Sequence, residues 1–438
     1  MLARRLAALG ALLGALTACR QESPPPGARA LGSAGGGSGV SGAAPAAAAL
    51  LAAVTGSERA VPQQTTPGDV ALGNLSDHIV ALERRLEERG RDLSLRAELV
   101  DYLLSRTQFL STFADFARAE ELAEAAPREF PGNARALLLR ARFRAAVHRF
   151  AEAESDLSSA EALGTPPKET ELQRASLQVA QGRELQAALA VAERRAAALP
   201  ALERLSVQAL AEAALGRFDA ADQHYRAALA SYRDVSPFPL AFVEFQRGVM
   251  WAELANQPER AMPLYQEAVR LLPQYVVANV HLAELELRQG QRSPAEQRLR
   301  QMARQSEDPE PWSHLGELLL EAKSEDAEGR ELIARARRRY EQLLGQQRSA
   351  FLDHGAEFFL GPGTDIARAI ELSRDNLLLR QTGRAYQLAL QAALAAGDSE
   401  LFCQYRSAAR TAAQANRNLN ALIESQGQRC GSHASSRP

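Results

Sequence analysis

Eight alanines recur at nearly fixed spacing through most of this chain: Ala119, Ala153, Ala188, Ala221, Ala261, Ala295, Ala327 and Ala369. Successive differences are 34, 35, 33, 40, 34, 32 and 42 residues. A period of that size is one supersecondary unit. Units that repeat in sequence stack in space, each burying its apolar face against its neighbours. A bulky and then a second small residue follow at four and seven positions: Tyr225 and Ala228, Tyr265 and Ala268, Leu157 and Ala160. Those spacings fall on one face of a helix, and the alternation of size lets the helix nest against a partner.

The punctuation agrees. Gly216 and Gly290 follow apolar helical runs, where a left-handed C-cap needs glycine, and Pro131, Pro200, Pro273 and Pro309 fall near unit ends. The two long steps coincide with Ser231–Pro239 and Leu360–Thr364, segments rich in proline and glycine. No stretch alternates as a strand would, aromatic residues make up only 5% of the chain, and Ala, Leu, Arg and Glu dominate. That composition belongs to helix.

Trp312, Leu315 and Gly316, in P-E-P-W-S-H-L-G, match the opening W-x2-L-G of the tetratricopeptide pattern. Gly248 with Trp251, and Phe351 with Gly355 and Phe358, are weaker versions. Over roughly residues 75–425 the chain resembles a tetratricopeptide-repeat protein. The resemblance implies an all-α fold: a right-handed superhelical solenoid of antiparallel helix pairs, with about eight or nine repeats over residues 71–426. The first helices would line a concave face on which a peptide or partner helix is held. In that register the candidate partner-binding residues are Phe242, Phe245, Gln246 and Glu253, then His281, Glu284 and Arg288, then His314, Glu317 and Glu321. The lysine- and asparagine-rich clamp that some members use for carboxylate-terminated tails is not visible, since the only lysines are Lys168 and Lys323.

The N-terminus carries a different signal. Arg4 and Arg5 precede the apolar run Leu6–Leu16, too short to span a bilayer, and Leu16-Thr17-Ala18-Cys19 resembles a bacterial lipobox. That resemblance implies a signal peptide over 1–18, lipidation at Cys19 and a protein exported to the cell envelope. Arg20, rather than an aspartate, leans toward the outer membrane. Residues 19–70, rich in Pro, Gly, Ala and Ser, read as a disordered tether, and residues 427–438 as a disordered tail. Ser76 reads as the N-cap of the first helix.

Chemistry is sparse. The sequence has no P-loop, nucleophile elbow, H-E-x-x-H or C-x-x-C, so no catalytic residue, metal site or cofactor is expected. A formal net charge of −2 gives no electrostatic basis for nucleic acid or an acidic membrane, leaving the lipid as the expected membrane contact. His281/Glu284, His314/Glu317 and His354/Glu357 stand at i,i+3 on helix faces and read as partner-facing or solvated pairs rather than as acid/base machinery. Arg335 to Arg339 reads as a solvated helix face balanced by Glu328, Glu331 and Glu341. Residues 399–425 read as one helix. Such a helix would hold Cys403 and Cys430 tens of ångströms apart unless the tail folds back. The expectation is a non-catalytic interaction scaffold. The alternatives are a regulatory or substrate-binding subunit of an envelope enzyme, and an enzyme with its site in 345–400.

Overall fold

The computed structural model describes residues 64–194 and 201–430. The signal peptide, Cys19 and all but the last residues of the tether lie outside the described residues, as does Pro200. Among the described residues there are 21 α-helices and no strand, and no helix is long and apolar enough to cross a membrane.

A leading helix α1 (Gly68–Arg89) precedes nine antiparallel pairs. The pairs are α2 (Leu93–Leu110) with α3 (Phe113–Glu129), α4 (Ala134–Ala146) with α5 (Phe150–Ala162), and α6 (Pro167–Gln181) with α7 (Leu185–Arg194). Then come α8 (Ala201–Ala214) with α9 (Phe218–Ser231), α10 (Phe238–Val249) with α11 (Pro258–Leu271), and α12 (Val276–Arg288) with α13 (Arg292–Gln305). The last three are α14 (Pro309–Ala322) with α15 (Ala327–Gln346), α16 (Arg348–Leu360) with α17 (Ile366–Leu379), and α18 (Gly383–Ala395) with α19 (Ser399–Ala408). Short α20 (Arg410–Ala415) and α21 (Arg417–Ser425) close the stack. Each pair also packs on the next, which makes a superhelical solenoid.

Seven of the eight periodic alanines sit at helix crossings with no exposed surface. Ala327 does not: it is exposed at the start of α15, and Gly329 takes the crossing instead. A Cβ on Gly329 would lie 3.0 Å from the Gly316 carbonyl oxygen, and one on Gly316 would lie 2.9 Å from that of Gly329. Only two glycines allow backbones that close. With Gly329 in the slot the neighbouring steps become 34 (295 to 329) and 40 (329 to 369), a closer match to the period. Gly248 has the same role in α10, where a Cβ would fall 2.3 Å from the Tyr265 ring. The C-caps at Gly216 and Gly290 have φ of 76° and 75°, the left-handed region expected of them.

Three local expectations change. Ser76 lies inside α1, whose N-cap is Pro67, because an apolar face of Ala71, Leu72 and Leu75 extends the helix upstream of it. Residues 399–425 are three helices rather than one. Asn416 is extended and its side chain caps α21 by accepting from the Leu419 N–H at 2.8 Å. The chain therefore folds back, and a 3-10 turn over Gly427–Cys430 brings Cys430 to Cys403, with which it forms a disulfide.

The superhelix closes on itself. Phe109 of α2 packs on Phe238 and Tyr275, and Phe113 of α3 meets Phe351 of α16 edge-on at 5.1 Å. Ser111 donates to Asp308, Gln347 to Glu120, and Ser349 to the Val147 carbonyl, spanning 197, 227 and 202 residues. Farther along, the Gln381 N–H donates to Gln181 O, and Asn418 donates to the carbonyls of Ala252 and Glu253.

Candidate functional site

The inner helices α10, α12, α14 and α16 carry polar side chains on a face that most globular helices would keep apolar. The repeat places His281 and His314 at the same position of successive units, two residues before Ala283 and Gly316, and His354 one position out of that register, directly before Gly355. Each shares a helix face with the glutamate three residues on. Each also meets a carboxylate of the preceding unit. His281 Nδ1 is 3.8 Å from Glu253, His314 Nε2 is 3.6 Å from Glu284, and His354 Nδ1 is 3.6 Å from Glu310. Tyr265 adds a hydroxyl 3.3 Å from His281 Nδ1. The result is a ladder of imidazole and carboxylate groups running across the stack.

In front of this ladder opens a groove of about 650 Å³. Seven of the ten candidate residues line it: Glu253, His281, Glu284, Arg288, His314, Glu317 and Glu321. Glu253 reaches it from a π-helical turn, Met250–Leu254, which interrupts the normal register at the end of α10. The far wall comes from later units: Glu357, Gln387, Gln391 and Asn418. Five glutamates and one arginine, Arg288, give the wall an acidic balance. The sequence singles out Glu357 but not Gln387, Gln391 or Asn418. They reach the groove because the superhelix turns, and nothing in their local sequence marks that.

The other three candidates lie elsewhere. Phe242 and Phe245 are 0% and 1% exposed and belong to the core. Phe245 packs among Tyr265, Tyr275 and His281. They are buried because α2 and the α3 corner cover the side of α10 that an open solenoid would expose. The signal was present: F-P-L-A-F-V-E-F is apolar nearly all round, as a helix covered on two sides must be. Gln246 lines a second cavity beside the start of α18.

Where the two ends of the superhelix meet, a smaller cavity of about 140 Å³ is lined by His148, Asp308, Glu310, Phe351 and His354, among others. Its electrostatics are asymmetric. Burial, helped by Arg380, pushes His148 down to about 3, so its ring is neutral. Burial also works against charge on His354, but Asp353 and Glu310 outweigh it and hold that ring at about 9. Asp353 is pushed up by burial and pulled down more strongly by Arg380 and His354, to about 2. Burial, reinforced by Glu310, raises Asp308. Arg380 meets Asp353 at 3.0 Å, and Arg384 donates to Glu357. These are ion pairs that lock helices together. Among the described residues, no three His, Cys, Asp or Glu side chains are grouped to hold a metal ion.

The basic run on α15 has more specific partners than a solvated face. Arg335 stacks 3.7 Å over the Trp312 ring, Arg337 donates to the Gly363 carbonyl, and Arg339 pairs with Glu307 at 2.8 Å. Only Arg338 pairs with an expected flanking acid, Glu331.

No curated protein sequence is significantly similar to this chain. Several solved structures are similar in shape. Human IFIT1, solved as a dimer with PPP-AAAA, is 15% identical, with 77% of this chain and 78% of that one covered at a TM-score of 0.43. Yeast Tom70 is 15% identical over 88% and 97%, TM-score 0.33. YrrB, described as a TPR protein with an unusual peptide-binding site, is 18% identical over 45% and 95%, TM-score 0.26. The family model of the tetratricopeptide repeat matches residues 253–319, the segment from the π turn through most of α14. The chain carries tetratricopeptide repeats at its centre, within a solenoid of nine helix pairs.

Proposed function

We propose that this protein is a non-catalytic interaction scaffold that holds a peptide segment or helix of a protein partner in the groove between Glu253 and Glu321. The single observation that carries the reading is that three successive repeats place Glu253, then His281, Glu284 and Arg288, then His314, Glu317 and Glu321 along one continuous groove. A helical repeat that only needed to fold would have no use for polar side chains at the same inner positions of consecutive units. The solved solenoid described by its peptide-binding site is consistent with this type of use.

We further propose that the scaffold works at a bacterial cell envelope, exported by the leader over 1–18 and anchored through lipid on Cys19. The support is the lipobox of the sequence alone. Metabolic labelling with a radioactive fatty acid tests it: label should enter the intact chain and be lost in Cys19→Ala. Label retained in that variant would refute the anchor.

The groove is tested by affinity capture from membranes. Charge reversal at Arg288 or Glu317 should reduce capture of the same partner at least tenfold while far-UV circular dichroism stays unchanged. Normal capture by both variants would refute the groove as the binding surface.

A further inference from the structure

The last three helices are held to the solenoid by little apolar packing. α19, α20 and α21 bury one side chain each: Phe402, Ala413 and Leu419. Under α20 lies the second cavity, of about 690 Å³, with Thr411, Ala412 and Ala415 on one side and Leu210, Met250 and Leu254 on the other. A segment so sparsely packed belongs to the least stable part of a fold. A few discrete points hold it. Asn416 lies so close to Gly383 that a Cβ there would fall 2.6 Å from Asn416 Nδ2, and Ala415 packs on Gly216. Arg417 stands over the Phe218 ring, 5.3 Å from its centre. The Cys403–Cys430 disulfide then ties the far end of the segment back to α19. Residues 409–430 thus form a strap that is closed covalently at its end.

The strap reaches the groove through the π turn. Asn418 Nδ2 donates to the carbonyls of Ala252, at 3.1 Å, and Glu253, at 2.7 Å. Both belong to the turn Met250–Leu254. The last carbonyls of a helix have no N–H of their own helix to accept from. Here Asn418 supplies the donor, from 165 residues beyond Glu253. π turns are rare within α-helices, and this one has an outside holder. Returning 250–254 to α register would rotate Glu253 by about 100° around the helix axis. Its carboxylate, now 3.8 Å from His281, would then leave the groove.

We propose that the strap is a thiol-operated device that sets the groove. With the disulfide closed, Asn418 holds the π turn and Glu253 stays in the groove. With it open, the strap detaches and the turn is free to return to α register. The chemistry is thiol–disulfide exchange with a dithiol reductant. One thiolate of the reductant attacks a sulfur of the Cys403–Cys430 bond, forming a mixed disulfide and releasing the other sulfur as a thiolate. The reductant's second thiol then displaces the first. Cys403 and Cys430 end as two thiols and the reductant as a disulfide, a two-electron transfer. Both cysteines are half-buried, which leaves the bond within reach of such a reagent. The control of Glu253 stands on the strap alone; its effect on partner capture rests on the groove being the partner site.

Hydrogen exchange of the purified full chain, oxidised and after dithiothreitol in native buffer, tests the proposal. Reduction should raise the thiol titre by two per chain. It should quicken exchange about tenfold at 409–425 and at 250–257, with α2 and α4 unaltered. Cys403→Ser/Cys430→Ser should reproduce the reduced pattern and no longer respond to dithiothreitol. Asn418→Ala removes the two hydrogen bonds and keeps the disulfide. It should quicken 250–257 about tenfold and leave nothing further there for reduction to change, a result that a merely structural staple would not give. Capture of the groove partner should fall about fivefold or more on reduction, the lower end of typical coupling between sites. A disulfide that resists dithiothreitol without denaturant, loosening of 409–425 while 250–257 keeps its protection, or faster exchange throughout the chain would overturn the proposal. If charge reversal at Arg288 and Glu317 leaves capture unchanged, the groove reading fails, and the exchange pattern still decides the strap. If those variants lose capture and reduction does not, the groove reading stands and the switch is overturned.

Discussion

The two ends of the inner helices α14 and α16 make an instructive contrast. Their N-terminal ends, Pro309–Glu310 and Phe351–His354, face the seam where the first repeats close onto the later ones. Their C-terminal parts, His314–Glu321 and Glu357–Leu360, face the open groove. Both stretches carry histidine and carboxylate at repeat-related positions. At the seam these groups are desolvated, and their charges are fixed by neighbours. In the groove, Glu317 and Glu321 retain access to water and to a partner. The same side-chain types thus serve closure at one end and, in the proposed function, line the partner groove at the other. What decides between them is whether the superhelix covers the position.

The largest expected effect tests the claim that seam charges are structural. Asp353 and Arg380 are 1% and 5% exposed and pair at 3.0 Å. Removing one partner leaves the other charge buried and alone, which costs about 3–5 kcal/mol. Asp353→Leu and Arg380→Leu should each lower stability to urea by that order, while the double variant recovers most of the loss. If the single variants lose less than about 1 kcal/mol, the pair is not part of what locks α16 to the end of α17 beside the seam. Groove substitutions of equal size, such as Glu321→Leu, should change stability by no more than about 0.5 kcal/mol.

The contrast also marks where sequence reading stops. The alanine period and the two C-cap glycines were legible because they are local consequences of helix crossing and turn geometry. Seven alanines fall in place for that reason. Ala327 misled because a glycine two residues on, Gly329, packs tighter than any alanine can against Gly316. Seven groove residues were legible because a repeat carries register from one unit to the next. Phe242 and Phe245 were misplaced because closure depends on Phe109, Ser111 and Phe113. These residues have no periodic signature and meet partners more than a hundred residues away. The Cys403–Cys430 pairing stayed open in the sequence for a smaller reason: Asn416 breaks a run of good helix formers that composition alone reads as continuous.

A smaller effect, at the seam only, is set by pH. His354 is held at about 9 in the folded chain against an ordinary value of 6.5. Its raised pKa contributes stability that is fully present below pH 6.5 and is lost as pH rises through 9. His148 is depressed to about 3, so its contribution is present above pH 6.5 and declines as pH falls toward 3. Asp353, at about 2, adds acid sensitivity only below about pH 4. Urea midpoints should therefore peak near pH 6.5. The His354 contribution is on the order of 2–3 kcal/mol between pH 6.5 and 9. His354→Gln should flatten the alkaline limb, and His148→Gln the limb between pH 4 and 6.5. Partner capture should not follow the alkaline limb, because His354 faces the seam and does not line the groove. Parallel loss of capture and stability would merge the two regions into one functional unit.

The smallest effect asks whether closure matters to the groove at all. Ser349 donates at 2.6 Å to the carbonyl of Val147, on the corner that also carries His148. That residue has a φ of 61°, a left-handed conformation that a histidine adopts at some cost. The hydroxyl holds the corner across the seam. Ser349→Ala should cost about 1 kcal/mol, the usual net worth of one hydrogen bond. Hydrogen exchange should locate the change: faster exchange at 146–150 and at the start of α16, with the amides of 281–288 and 314–321 unaltered. Exchange that quickens along the groove as well would mean that the seam sets the shape of the groove. The polar ladder from Glu253 to Glu310 would then transmit closure to the partner surface.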